Sequence, residues 1–423
     1  MKKTLALLLA LLLFAGCAPQ AQNVDVADRQ AATPGNAPQA TVAVPTPTPA
    51  PYVTDEVFVV DCEDSINLRA KSSSKSEQIG TLAAGDQVKV LGYQSQRFAR
   101  VQLVSNGQVG YAIAGYLRAA DYGAFGLDTV KPAAVYTYEQ MLADTEALAQ
   151  RYIGLCSMDS AGESAQGRSL RLLVVGDVNA PHHVFVQGAI HAGDNMAALL
   201  CVALAEKLLQ QGGEQDVCFH ILPMSNPDGV VIQQSAQIPE DIVEIYKSDG
   251  EKGLSVETGA LYLAQWQANA NGVDLNRNFD ALWENIDTAE GPSFTGYRGA
   301  APESEPETKA LVAYTDKYPF DATLSYHTTG SAIYWEFGED AAVNAASQHL
   351  AEAIKAVSAY EPIGDSGGSY GGYKDWAMLK RQIPSVTIEI GTRAAPLLEA
   401  EFSNVFFRNL GVLPAVANWV RGQ

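Results

Sequence analysis

Apolar and polar positions divide the chain into four stretches with different periodicities. Leu5 to Leu13 is an unbroken apolar run, shorter than the roughly 20 residues that span a bilayer and of the length of a signal-peptide core. From Ala18 to Thr54 the residues are mostly Pro, Ala, Gln and Thr, ending in Pro45-Thr46-Pro47-Thr48-Pro49-Ala50-Pro51. That composition has no periodic apolar face to bury and favours extended polyproline II. Between 55 and 120, short alternating segments broken by turn residues predict strands at 57–60, 66–69, 79–82, 87–91 and 110–113, the pattern of a small all-β barrel. From Tyr136 onward the period changes again. Apolar runs at 170–175, 184–188, 217–224, 322–326 and 385–390 predict buried strands, and 196–210 carries helical periodicity. Strands alternating with helices predict, over 136–423, an α/β domain with a mixed, mostly parallel sheet and helices on both faces.

Composition narrows the function. With 47% hydrophobic and 18% charged residues the chain has the material for a large core. Its 28 Lys and Arg against 48 Asp and Glu give a net charge of −20, which repels phosphate backbones and excludes nucleic acid as a partner. Five cysteines make neither a disulfide framework nor a thiolate zinc site at their spacings. Any metal must therefore be held by His and carboxylates. At the N-terminus, Lys2 and Lys3 precede the apolar run, which closes with Leu13-Phe14-Ala15-Gly16-Cys17. This ending resembles the bacterial lipobox. The resemblance implies a cleaved lipoprotein signal peptide over 1–16, acylation of Cys17, and a spacer over 17–54 that carries the folded part away from the membrane. Each buried methylene of an acyl chain contributes about 0.8 kcal/mol to anchoring, so the expected location is extracytoplasmic, tethered to the cell envelope.

Within 55–120, the order Asn67-Leu68-Arg69, Ile79-Gly80-Thr81-Leu82, Gly85-Asp86, Val109-Gly110-Tyr111 and Tyr116-Leu117 resembles the bacterial SH3-like domains attached to many cell-wall enzymes. The resemblance implies a module that positions the enzyme on peptidoglycan or its peptides.

Only six histidines are present, and two have suggestive neighbours. His191 follows a predicted strand in Gly188-Ala189-Ile190-His191-Ala192-Gly193-Asp194, placing an imidazole and a carboxylate three positions apart at the start of a helix. His327 ends another predicted strand far along the chain. Two His and one carboxylate with an open fourth position is the donor set of hydrolytic zinc. The chain then continues through Asn226-Pro227-Asp228-Gly229, Gly272-Val273-Asp274-Leu275-Asn276-Arg277-Asn278-Phe279, Ser325-Tyr326-His327, Gly371-Gly372-Tyr373-Lys374-Asp375-Trp376 and Thr387-Ile388-Glu389-Ile390-Gly391. Over 136–423 this series resembles the zinc carboxypeptidases of the carboxypeptidase A type.

The resemblance implies one zinc per chain held by His191, Asp194 and His327. It implies Glu389 as the base acting on the attacking water, Asp274 as the acceptor orienting His191, and Arg277 with Asn276 as the clamp on a substrate carboxylate, a task suited to a guanidinium fork. Lys374, at the position facing the leaving residue's side chain, suggests that this side chain ends in a carboxylate, as in glutamate, aspartate or meso-diaminopimelate. Tyr370 stands for the family's mobile tyrosine. Two positions depart from the family: Asp194 replaces the usual Glu ligand, and Asn271 stands where many bacterial relatives carry an oxyanion-binding Arg, offering a weaker neutral donor. The Gly364-Asp365-Ser366-Gly367-Gly368 segment has the look of a serine-nucleophile loop but lacks a strand before and a helix after it, and is read as a substrate-side loop.

The expected protein is a lipid-anchored zinc metallocarboxypeptidase acting on peptides, including peptidoglycan stem peptides; the alternative is a weakened peptidase that only binds them. Sequence alone gives neither the oligomeric state nor the state of the remaining cysteines.

Overall fold

The computed structural model describes residues 55–95, 97–253, 259–364 and 369–423. The expected signal peptide, Cys17 and spacer, and Ser366 with most of its loop, lie outside the described residues. Seven strands come first: β1 (Val57–Val60), β2 (Ser65–Arg69), β3 (Gln78–Ala83), β4 (Gln87–Gln94), β5 (Phe98–Leu103), β6 (Val109–Ile113) and β7 (Leu117–Ala119), in the antiparallel order β3-β2-β6-β5-β4-β1-β7. Alternation along each strand puts Phe58, Val60, Leu68, Leu82, Val88, Val90 and Val101 inside. This is the SH3-like unit.

Eight further strands follow: β8 (Cys156–Glu163), β9 (Ser169–Val175), β10 (His182–Gly188), β11 (Val217–Leu222), β12 (Phe320–Thr328), β13 (Ala332–Tyr334), β14 (Glu361–Ile363) and β15 (Ser385–Ile390). They form one sheet in the order β14-β13-β15-β12-β10-β11-β9-β8. Its centre, β15-β12-β10-β11, is parallel, while β9 and β8 add antiparallel strands at one side. Period-two alternation divides the core between two faces: Val184 and Val186 pack with the helices Asn195–Gln210 and Glu401–Asn409, and Phe185 packs with Leu311, Tyr314 and Trp376 on the other. The helix Asn195–Gln210 is buried on all sides because Ala and Leu surround it. In this open sheet the parallel strands end together, and the polar residues that follow them meet there. No helix among the described residues is long and apolar enough to cross a membrane.

Candidate active site

Three strand ends build the site. Beyond β10 the chain turns through His191 to Asp194, which occupies the N-cap of the helix Asn195–Gln210. A carboxylate there ordinarily caps the first amides and is favoured by the helix dipole. Asp194 makes no such cap. Its Oδ1 instead accepts from the backbone N and the hydroxyl of Thr328, and its Oδ2 faces His191 Nδ1 at 3.4 Å and His327 Nδ1 at 3.3 Å without a well-formed hydrogen bond. The two Nδ1 atoms are 3.2 Å apart. Ligand bonds of about 2.0 to 2.1 Å in a tetrahedron imply edges of about 3.3 Å, so the triangle fits zinc. A buried carboxylate oxygen without a proper donor is also what a cation would satisfy. The residues present fit the metal, and the shorter Asp194 reaches both imidazoles.

Electrostatics agree with that fit. Burial opposes charge on His191 most strongly, yet Asp194 and Asp274 outweigh it and push the imidazole up to about 10. Burial likewise works to raise Asp194, but His191 and His327 hold it well below the usual carboxylate range. The carboxylates thus demand a positive partner at this point. Asp274 Oδ1 lies 3.4 Å from His191 Nε2, the ring nitrogen facing away from the triangle, which fixes the orientation of the ring. Asp274 is itself held by the backbone N of Asn276 and by Gly296 N.

Glu389 enters through strand register. β12 and β15 pair in parallel with His327 opposite Glu389, so the base stands one rung from a metal-holding imidazole. Burial pushes Glu389 up to about 7, with His327 and His191 opposing and Asp194 adding to the rise. Its Oε2 is buried with no hydrogen-bond partner, a lone pair available to a water.

On the Glu389 side lies a cavity of about 240 Å³ lined by Asn276, Tyr334, Lys374, Asp375 and Thr387. Lys374 is largely buried; its Nζ donates to the Glu336 carbonyl at 2.9 Å and pairs with Asp375 at 2.8 Å. Two of its three donors are used, which leaves one for a ligand. Gly371 has φ +76°, and a Cβ there would lie 2.7 Å from the Arg277 carbonyl, so only glycine lets this loop pack on the loop that carries Asn276 and Arg277. The half-exposed Arg277 guanidinium sits 3.4 Å from Asp274. Tyr370 packs its ring 6.4 Å from Phe337 and is not among the residues lining this cavity.

Asn271 requires a correction. Its amide donates to Glu305 Oε2 at 2.8 Å, beside Asn269, which donates to the same carboxylate, and it lines neither cavity of the cleft. A nearby buried carboxylate binds this donor, so it does not face an oxyanion. Two residues not anticipated do face the cleft. Gln267 shares a cavity with His191 and Asp194, and the phenol-bearing Tyr334 shares the other with Glu389. Tyr334 reaches it because β13 runs antiparallel to β15 with Tyr334 opposite Thr387. Four cysteines, Cys62, Cys156, Cys201 and Cys218, are free thiols.

Comparison with known proteins matches this geometry. A family model described as zinc carboxypeptidase covers residues 141–407, and one described as bacterial SH3 domain covers residues 64–118. The gamma-D-glutamyl-L-diamino acid endopeptidase 1 of Lysinibacillus sphaericus is 29% identical over 296 residues, 66% of this chain and 72% of that protein. Human mast cell carboxypeptidase A is 23% identical over 229 residues, 52% of this chain and 51% of its own. Among solved structures, the carboxypeptidase A of Helicoverpa armigera superposes with a TM-score of 0.52 at 22% identity, over 68% of this chain and 74% of that one, a likeness of fold.

Proposed function

The chain belongs to the zinc carboxypeptidase family, a peptide hydrolase with one zinc per chain, and from that premise we propose that it removes or separates carboxylate-bearing residues from bacterial cell-wall peptides on the outside of the cell. His191, Asp194 and His327 would hold the metal. When bound, zinc polarises the scissile carbonyl and acidifies the attacking water. Glu389 accepts the proton from that water at its unpartnered Oε2 and delivers it to the leaving nitrogen, which departs as a neutral amine. Asp274 keeps the His191 ring turned toward the metal throughout. Asn276 and Arg277 hold the carboxylate of the leaving residue, and the remaining Lys374 donor takes a second carboxylate at the end of its side chain.

The observation that carries this reading is the cavity lined by Glu389, Lys374 and neutral polar groups, where the Lys374 ammonium, paired with Asp375 and bonded to the Glu336 carbonyl, keeps one donor for a ligand. A diaminopimelate or glutamate side chain carries a carboxylate that accepts from this remaining donor. The relative from Lysinibacillus, whose name specifies a diamino-acid peptide bond, supports the same class. The lipobox-like Cys17 and its apolar run support a lipid anchor and an extracytoplasmic site. Purified protein offered stem peptides containing meso-diaminopimelate, and peptides ending in Glu or Leu, is expected to cleave the first two. Cleavage of the Leu peptide alone would overturn the role given to Lys374. Replacing Cys17 by Ala is expected to abolish incorporation of labelled fatty acid.

A further inference from the structure

The SH3-like unit shares one hydrophobic core with the peptidase body. Phe58 meets Phe407 edge-on with ring centroids 5.5 Å apart, and Phe125, in the segment joining the two, stacks among Phe402, Phe406 and Phe407 at 5.1 to 5.4 Å. The Ala119 backbone N donates to Ser403 Oγ at 2.8 Å, and the buried Arg408 reaches the Ser95 carbonyl in the barrel. A module on a flexible tether would leave these aromatic faces in water.

What the barrel grips is the chain just after the base. Beyond Glu389, the Thr392 carbonyl accepts from Arg97 Nη2 at 3.1 Å, and the Arg393 guanidinium lies over the Tyr116 ring at 4.9 Å. Gly115 is pressed so closely that a Cβ on it would lie 2.0 Å from Thr392 Oγ1 and 2.5 Å from Glu401 Oε1. From the opposite side, Glu401 accepts from the N and hydroxyl of Thr392, and Ser331 donates to the Gly391 carbonyl. The same loop then enters the cleft, where Ala395 and Pro396 form a wall of the cavity of about 230 Å³ that holds His191, Asp194, Gln267 and Thr328. This cavity contains two metal-holding residues but neither Glu389 nor Lys374, so it is separate from the leaving-residue pocket.

Resting on the reading above, we propose that the SH3-like barrel is a positioning element of the acyl-side subsite. By fixing Thr392 to Pro396 it sets which residue is accepted before the scissile bond. Apart from the metal-holding pair, the polar groups of that subsite are the amides of Gln265 and Gln267 and the hydroxyls of Thr295 and Thr328, with no cation among them. Thr295 Oγ1 donates to Gln267 Oε1 at 2.6 Å, which turns the Gln267 amide nitrogen outward as a donor. The subsite therefore takes a hydrogen-bonding residue in preference to an apolar one, because the Gln267 amide offers it a polar partner.

The test uses the full chain, with Arg97→Ala as the main variant because that side chain is exposed, and Gly115→Ala as a second. Substrates share a C-terminal glutamate and differ only in the preceding residue: glutamine, glutamate or leucine. Wild type is expected to prefer glutamine over leucine. Both variants are expected to lose about tenfold in kcat/KM on that substrate and to lose the preference, with zinc content unchanged, as a small displacement of a positioning element does. An unchanged preference in both variants overturns the proposal. Hydrogen exchange at amides 391–395 decides it independently of turnover: faster exchange in Arg97→Ala supports the barrel's grip, and identical protection refutes it. If wild type hydrolyses none of the peptides, the reading of the reaction fails while the exchange result still decides the positioning role.

Discussion

Replacing Glu389 by Gln exchanges one carboxylate oxygen for an amide of the same shape at a site where burial has already pushed the acid up to about 7 from an ordinary 4.5. Two effects of opposite sign follow. Catalysis loses its proton acceptor, and general-base steps contribute about 10² to 10⁴ in rate, so kcat is expected to fall by about a thousandfold, or about 4 kcal/mol of barrier. Stability moves the other way in the zinc-free protein. Between pH 4.5 and 7 the folded chain retains a proton that the unfolded chain releases, so stability falls as pH rises through that window and the whole cost is present above pH 7. That rise in the Glu389 pKa corresponds to at most about 3 to 4 kcal/mol. Gln cannot ionise, so the variant is expected to be the more stable apoprotein at pH 8 and equal to wild type near pH 4. Steady-state hydrolysis with zinc, and urea unfolding after chelation at both pH values, measure the two effects. A variant that keeps more than a tenth of wild-type kcat, or that is less stable than wild type at pH 8, would refute the reasoning.

Asp194→Ala removes the carboxylate bridging both imidazoles; elemental analysis is expected to find zinc lost, whereas stoichiometric zinc would show that the two imidazoles suffice. Lys374→Met keeps the length of the stem but leaves Asp375 buried without its ammonium. Hydrolysis of Glu-terminated peptides is expected to fall about 10- to 100-fold in kcat/KM, the range expected when a charged hydrogen bond is lost from a buried site. Phe407→Ala removes a ring packed against both Phe58 and Phe125; a cost of about 3 to 5 kcal/mol is expected. Calorimetry should show one shared transition for barrel and peptidase body, and two separable transitions would contradict the common core.

Much of the fold was legible because its central strands are buried on both faces and therefore read as apolar runs: β10, β11, β12 and β15 all overlap expected segments. β8 was not, since Cys156–Glu163 lies at the sheet edge with no buried side chain and leaves no periodic mark. β5 was passed over although Val101 and Leu103 face inward and alternate with Arg100 and Gln102, because no clear turn precedes it. At the site, His191, Asp194, His327 and Glu389 converge because each lies at or just beyond the end of a central strand, a position the pattern marks. Asn271 misled because its partner Glu305 is 34 positions further on, where no spacing announces a contact. Gln267 and Tyr334 escaped notice for the same reason. Their places in the cleft come from Thr295 and from the turn between β12 and β13, both tertiary facts.

The rung shared by His327 and Glu389 has a consequence for how this enzyme can change. The separation between proton acceptor and metal-holding ring is set by the ladder of two adjacent central strands, a dimension that backbone hydrogen bonds hold nearly constant. Several groups that line the two cavities, by contrast, lie off that ladder: Lys374 on the helix Tyr373–Arg381, and Gln267, Thr295, Ala395 and Pro396 on loops. Substitutions there can redraw what is cut without retuning where the proton goes, so reaction and appetite are free to diverge along separate parts of the same chain.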